Sequence, residues 1–163
     1  MAVHKLNLGE FDEIDYYLIA IHTSLEDYRL AFFINQILPI RLAKSNNEIQ
    51  IHIKEGETSF ARYHHYDSEN DINWDLIQNK NEVVLKKTSP ISELFSDQAM
   101  VSSKKVFLLP EFKTVDYFLK IENTPEHTID LPQIKSKLNA INNISTVYTI
   151  ETNQIKSKNN LIF

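Results

Sequence analysis

Glu111 and Asp116 are the two carboxylates of this chain best spaced for shared chemistry, since a short Pro-led stretch brings such residues back toward each other. Paired acids divide acid and base roles when their surroundings separate their pKa values. The same residue types also serve a structural purpose: a turn carboxylate accepts nearby backbone N–H bonds, and an Asp at a strand entrance does likewise. A second cluster is Arg62-Tyr63-His64-His65-Tyr66-Asp67, with His52 on a neighbouring alternating segment. Imidazoles and carboxylates together suit a divalent metal. However, adjacent residues on a strand face opposite sides, so His64 and His65 do not both reach one ion without a bulge. No metal is therefore expected. Tyr16, Tyr17, Tyr117 and Phe118 offer aromatic surface for a pocket or a core, and Trp74 suits a sheet or interface anchor. Gly9 and Gly56 are the only glycines, which leaves no phosphate-cradling loop and no Gly-x-Ser-x-Gly elbow.

The elements that must position these residues are legible from periodicity. A near-continuous apolar run from Tyr16 to Ile21 predicts a strand buried on both faces. Thr23 or Ser24 then offers a helix cap, with Glu26 or Asp27 completing a capping box, and Leu30, Phe33, Ile34, Ile37 and Leu38 form one stripe ended by Pro39. Alternation at Ile49, Ile51 and Ile53 predicts a strand with one wet face. Glu55-Gly56-Glu57 should turn it into a return strand from Thr58 to Tyr66. Strands at Ile72–Ile77 and Glu82–Lys87, joined across Asn79-Lys80-Asn81, would continue an antiparallel meander. Ser89–Ser103 is ambiguous between helix and loop. Lys105–Leu109 and Val115–Ile121 are expected to pair as a hairpin across Pro110, which cannot donate to a ladder. Asp130 should cap a second helix carrying Leu131, Ile134, Leu138 and Ile141, and Ile144–Ile150 should close the sheet.

One sequence echo organises this pattern. Ile14-Asp15-Tyr16 returns as Val115-Asp116-Tyr117, each opening an apolar strand that leads toward a helix. The expected fold is α+β: a mainly antiparallel sheet with two helices on one face, ferredoxin-like or an enlarged relative, with an internal pseudo-repeat. Residues 1–152 should form one domain and 153–163 a polar tail that frays.

The segment Leu109-Pro110-Glu111-Phe112-Lys113-Thr114-Val115-Asp116-Tyr117 resembles the signature of the IPExxxVDY family, with Leu109 standing where that signature has Ile. Pro110, Glu111, Val115, Asp116 and Tyr117 match it. The resemblance implies a bacterial protein of the Bacteroidetes type. It brings no catalytic assignment, so these residues carry over only as motif positions.

The bulk composition narrows the function classes. With 163 residues, 42% of them hydrophobic, the chain is long enough to bury a core without staples. A net charge of −5 disfavours nucleic acid as a partner, and Lys135, Lys137, Lys156 and Lys158 are the only local basic group of note. No apolar run approaches the roughly 20 residues that cross a bilayer. No signal-peptide core and no cysteine occur, so a cytoplasmic location is expected. With no cofactor signature, the leading expectation is a non-catalytic module that self-associates as a homodimer or binds a protein or small molecule. The alternatives are a small-molecule sensor, or a cofactor-independent or metal-assisted enzyme using Glu111 and Asp116.

Overall fold

A computed structural model describes residues 16–54, 56–86, 101–125 and 128–163. Ile14 and Asp15 of the echo lie outside these residues, as does most of Ser89–Ser103. In chain order the elements are β1 (Tyr16–Thr23), α1 (Asp27–Ile37), β2 (Ala43–Lys44), β3 (Ile49–Ile53), β4 (Gly56–Phe60), β5 (Arg62–Asp67) and β6 (Ile72–Gln78). There follow β7 (Lys80–Lys86), β8 (Val101–Phe107), β9 (Tyr117–Glu122), α2 (Leu131–Asn139) and β10 (Ile144–Ile150). The main sheet has six strands in the order β10-β1-β9-β6-β5-β2, every pair antiparallel. β1 reaches β6 through α1 with β9 between them, and β9 reaches β10 through α2 with β1 between them. These interleaved crossovers are the ferredoxin-like arrangement, enlarged between α1 and β6 by β2 and β5 at the sheet's end and by the outer hairpin β3-β4, and after β6 by the outer hairpin β7-β8. The fold is α+β. No helix among the described residues is long and apolar enough to cross a membrane.

The central strands are central because their sequences demand it. Leu18, Ile19, Ala20 and Ile21 of β1, and Phe118, Leu119 and Ile121 of β9, have no exposed surface. Odd positions of β1 and β9 face the helices, joining Leu30, Ile34, Ile134 and Leu138 in one core. Even positions face a second core with Phe60, Leu108, Leu109, Val115, Ile155 and Leu161. Both helices thus share one face, and the hairpins and C-terminal segment cover the other.

The hairpin expected between Lys105–Leu109 and Val115–Ile121 does not form. Leu119 of β9 lies opposite both Ile19 and Leu76, so both edges of β9 are already occupied, while the more polar β8 pairs with β7 outside the main sheet. The meander is corrected for the same reason: β6 pairs with β5 and β9, not with the strand that follows it. The return strand from Thr58 to Tyr66 is also two strands. It breaks at Ala61, whose carbonyl accepts from Gln78 N–H at 3.0 Å as the chain leaves the β3-β4 hairpin for the main sheet.

The capping box before α1 is absent. Glu26 is the N-cap and makes no side-chain cap bond, because the Thr23 hydroxyl accepts from Leu25 N–H at 3.1 Å and donates to the Asn143 carbonyl at 2.8 Å. At α2 the expected cap forms, with Asp130 accepting from Gln133 N–H at 2.9 Å. The C-terminal tail does not fray, since Ile155 and Leu161 are buried in the second core.

The echo is real in sequence but out of phase in space. Strand pairing sets Ile19 opposite Leu119, so odd positions of both strands share the helix face and Tyr16 and Tyr117 fall on opposite faces of the sheet. A one-residue offset reverses the face. Tyr16 accordingly packs on the second core and Tyr117 on the helix-side core. The two segments both open interior strands, but they are not equivalent parts.

Candidate functional site

The Leu109–Tyr117 segment wraps around a residue outside it, Asn79, which is 0% exposed. Asn79 Nδ2 donates to the carbonyls of Phe112 (2.9 Å) and Val115 (2.8 Å), and its Oδ1 accepts from Leu109 N–H (2.9 Å). Its backbone N–H donates to the Asp116 carbonyl, and its carbonyl accepts from Leu108 N–H. One amide therefore satisfies both ends of the loop. Leu109 and Val115 are fully buried beside it, and Pro110 opens a 3₁₀ turn, Pro110–Phe112, at the position where a missing N–H costs nothing.

The polar members of the segment each serve a different neighbour. Asp116 Oδ2 accepts from Thr23 N–H at 2.9 Å, fixing the exit of β1, and its Oδ1 takes the Lys80 ammonium at 2.7 Å. The Tyr117 hydroxyl donates to the Leu25 carbonyl at 3.1 Å. Burial, then the charges of Asp27 and Asp116, push its pKa well above that of a free phenol. Glu111 accepts from Lys156 N–H (2.7 Å), Ser157 N–H (2.8 Å) and the Ser157 hydroxyl (3.0 Å), pinning the C-terminal segment. The two carboxylates thus do not meet. Asp116 lines a hollow of about 180 Å³ with Thr23, Gln78, Lys80 and Tyr117, and Glu111 takes no part in it.

Glu111 carries a pH prediction. Burial pushes its carboxyl up, but the N–H donors of Ser157, of Glu111 itself and of Lys156, with the Ser157 hydroxyl, outweigh that, and the net pKa is lowered. A depressed folded-state pKa stabilises above the unfolded value and is lost as pH falls through the folded one. Glu111→Gln should therefore cost about 1–2 kcal/mol at neutral pH, with the gap to the native chain closing below about pH 4. Urea unfolding at both pH values measures this, and a pH-independent gap contradicts the clamp.

A second polar group lies on the same face of the sheet. Asp75, 1% exposed, accepts on Oδ1 from Arg62 Nε at 2.6 Å and pairs through the same oxygen with His64 Nδ1 at 2.9 Å. On the facing position of β9 stands Lys120, 2% exposed, whose ammonium donates to Glu122 (2.9 Å) and to the Leu161 carbonyl (2.8 Å). The Phe163 ring covers both cations, 4.4 Å from the Arg62 guanidinium carbon and 4.7 Å from the Lys120 ammonium. The Tyr16 hydroxyl is buried with no hydrogen-bond partner among the described residues, and burial followed by the Glu122 charge raises its pKa.

Comparison with family models, curated proteins and solved structures gives no match. The site is therefore read from its own geometry.

His64 and His65 do face opposite sides, His64 beside Arg62 and His65 beside Tyr63. His52 is remote from both in pairing, because β3 belongs to the outer hairpin, where His52 meets Glu57 at 3.1 Å. Among the described residues no group of three or more His, Asp or Glu is placed to hold a metal. Tyr16 and Phe118 occupy one face of the sheet and Tyr17 and Tyr117 the other, so the four share no pocket. Trp74 sits in the helix-side core. Sequence reasoning missed Asn79, Asp75 and Lys120. For Asp75 and Lys120 a signal existed, a charged residue interrupting an apolar run that must be buried.

Proposed function

We propose that this protein is a non-catalytic binding module that assembles as a homodimer through the edge of β10 that is unpaired among the described residues. The observation that carries this reading is the composition of that edge. Ile144–Ile150 reads Ile-Ser-Thr-Val-Tyr-Thr-Ile, with neither a charge nor a proline, and it forms the outermost strand of a six-stranded sheet. Edge strands that stay unpaired are usually short, charged or interrupted. The opposite edge follows that rule, being two residues long with Lys44 at its end. A second copy related by a two-fold would extend the sheet antiparallel, with no like charges opposed.

The motif supports the same reading from another side. Its carboxylates are engaged by backbone N–H groups, Lys80 and Ser157, which suits a scaffold rather than an acid-base pair. On this proposal the IPExxxVDY-like segment is the knot that ties β1, β9 and the C-terminal segment together, and the module works in the cytoplasm.

Light scattering tests the assembly. The native chain should run as a dimer, and Thr146→Lys, which sets a charge on the exposed edge, should run as a folded monomer. A native chain that stays monomeric at high concentration ends the proposal.

A further inference from the structure

The helix-side layer holds a hollow of about 270 Å³ where the end of α1, the β5-β6 turn and the start of α2 diverge. Its floor is apolar and built from buried core residues, namely Leu38, Ile72, Trp74 and Ile134. Its rim carries both charges: Asp67 and Asp130 on one hand, Lys137 on the other, with Gln133 between the two α2 residues. An apolar floor with few convergent polar groups is the usual make-up of a small-molecule site.

The rim chemistry narrows the ligand. Asp130, Gln133 and Lys137 follow one another along one face of α2 at helical spacing. Asp130 spends Oδ1 on the Gln133 N–H and retains Oδ2. Asp67 accepts from the Asn70 amide and from the Glu69 and Asn70 N–H groups, which outweigh burial and lower the pKa of its carboxyl. Lys137 stands one turn beyond Gln133, and both side chains line the hollow. A purely anionic ligand meets two carboxylates here, and a purely cationic one meets Lys137. A ligand bearing both charges on a small apolar body opposes neither.

The geometry points to a binding site for a zwitterionic α-amino acid with a branched apolar side chain. The side chain rests on Leu38, Ile72, Trp74 and Ile134, the ammonium faces Asp130, and the carboxylate is taken by Lys137 and Gln133. This site is independent of β10 pairing, so either proposal can fail without the other.

Trp74 is the only tryptophan, so its emission reports directly on the hollow. L-Leucine added to the full chain should shift that emission saturably and raise the thermal unfolding midpoint. 4-Methylpentanoate, which lacks the ammonium, and 3-methylbutylamine, which lacks the carboxylate, should each bind at least about tenfold more weakly. Lys137→Met should weaken L-leucine by a similar factor with unchanged circular dichroism. Equal binding of all three compounds, or of L-leucine to Lys137→Met, overturns the assignment, as does L-leucine leaving both emission and unfolding midpoint unmoved.

Discussion

Asn79→Ala is expected to lower the unfolding free energy by about 3–5 kcal/mol, because it leaves three backbone groups, two of them fully buried, without their side-chain partner at once. Leu109 N–H loses its acceptor, and the Phe112 and Val115 carbonyls lose their donor. The Leu109 N–H and the Val115 carbonyl, in fully buried residues, each cost their own desolvation, while the Phe112 carbonyl is part-buried. A domain of this size has roughly 5–15 kcal/mol in total, so the variant should be marginal at 37 °C. Asn79→Asp separates this mechanism from simple cavity formation. It keeps an acceptor for Leu109 N–H but turns a charged oxygen toward two carbonyls, so it should be at least as damaging despite matching the volume. Chemical denaturation gives both values, and a loss below about 1 kcal/mol for Asn79→Ala would place the hub elsewhere.

The parts of this fold that sequence discloses are those set by one local rule. Asp130 before Leu131-Pro132-Gln133 caps α2 because its side chain needs only the next turn. Apolar runs at Tyr16–Ile21 and Phe118–Ile121 announce burial on two faces, and hence central strands. Partner choice is a different matter. Whether Val115–Ile121 pairs with Lys105–Leu109 depends on competition from β1 and β6, which are distant in sequence, and no local signal weighs that competition. The failed cap at Thr23 is partly local and partly distant: its hydroxyl accepts from Leu25 N–H two residues on and donates to the Asn143 carbonyl, while α1 starts later with Glu26 as its N-cap.

The echo of Asp-Tyr shows how a local match can mislead. Sequence similarity aligned Tyr16 with Tyr117, whereas the pleat sets the two on opposite faces of the sheet, and a single residue decides which core each ring enters. The candidate site was half legible for a related reason. Glu111, Asp116 and Tyr117 stood out by pattern, yet the residue that organises them, Asn79, sits in an ordinary polar stretch between two strands. Its role exists only because β9, not β7, pairs with β6, which brings the Leu109–Tyr117 loop over it.

Removing Arg62 should be the second most damaging change, and the reason lies in what it leaves behind. Asp75 is 1% exposed, and Arg62 Nε at 2.6 Å is its closest cationic partner. In Arg62→Met the carboxylate stays buried with His64 as its remaining contact, and stripping one member from a buried ion pair costs about 3–5 kcal/mol. The same change uncovers Phe163, whose ring packs on the guanidinium. Adding Asp75→Asn removes the stranded charge while keeping an acceptor for His64, so the double variant should regain roughly half of the loss. Such recovery is the mark of a desolvated charge. If Arg62 mattered only as packing under the C-terminal segment, the second substitution would add its own cost, and urea midpoints would fall further instead of rising.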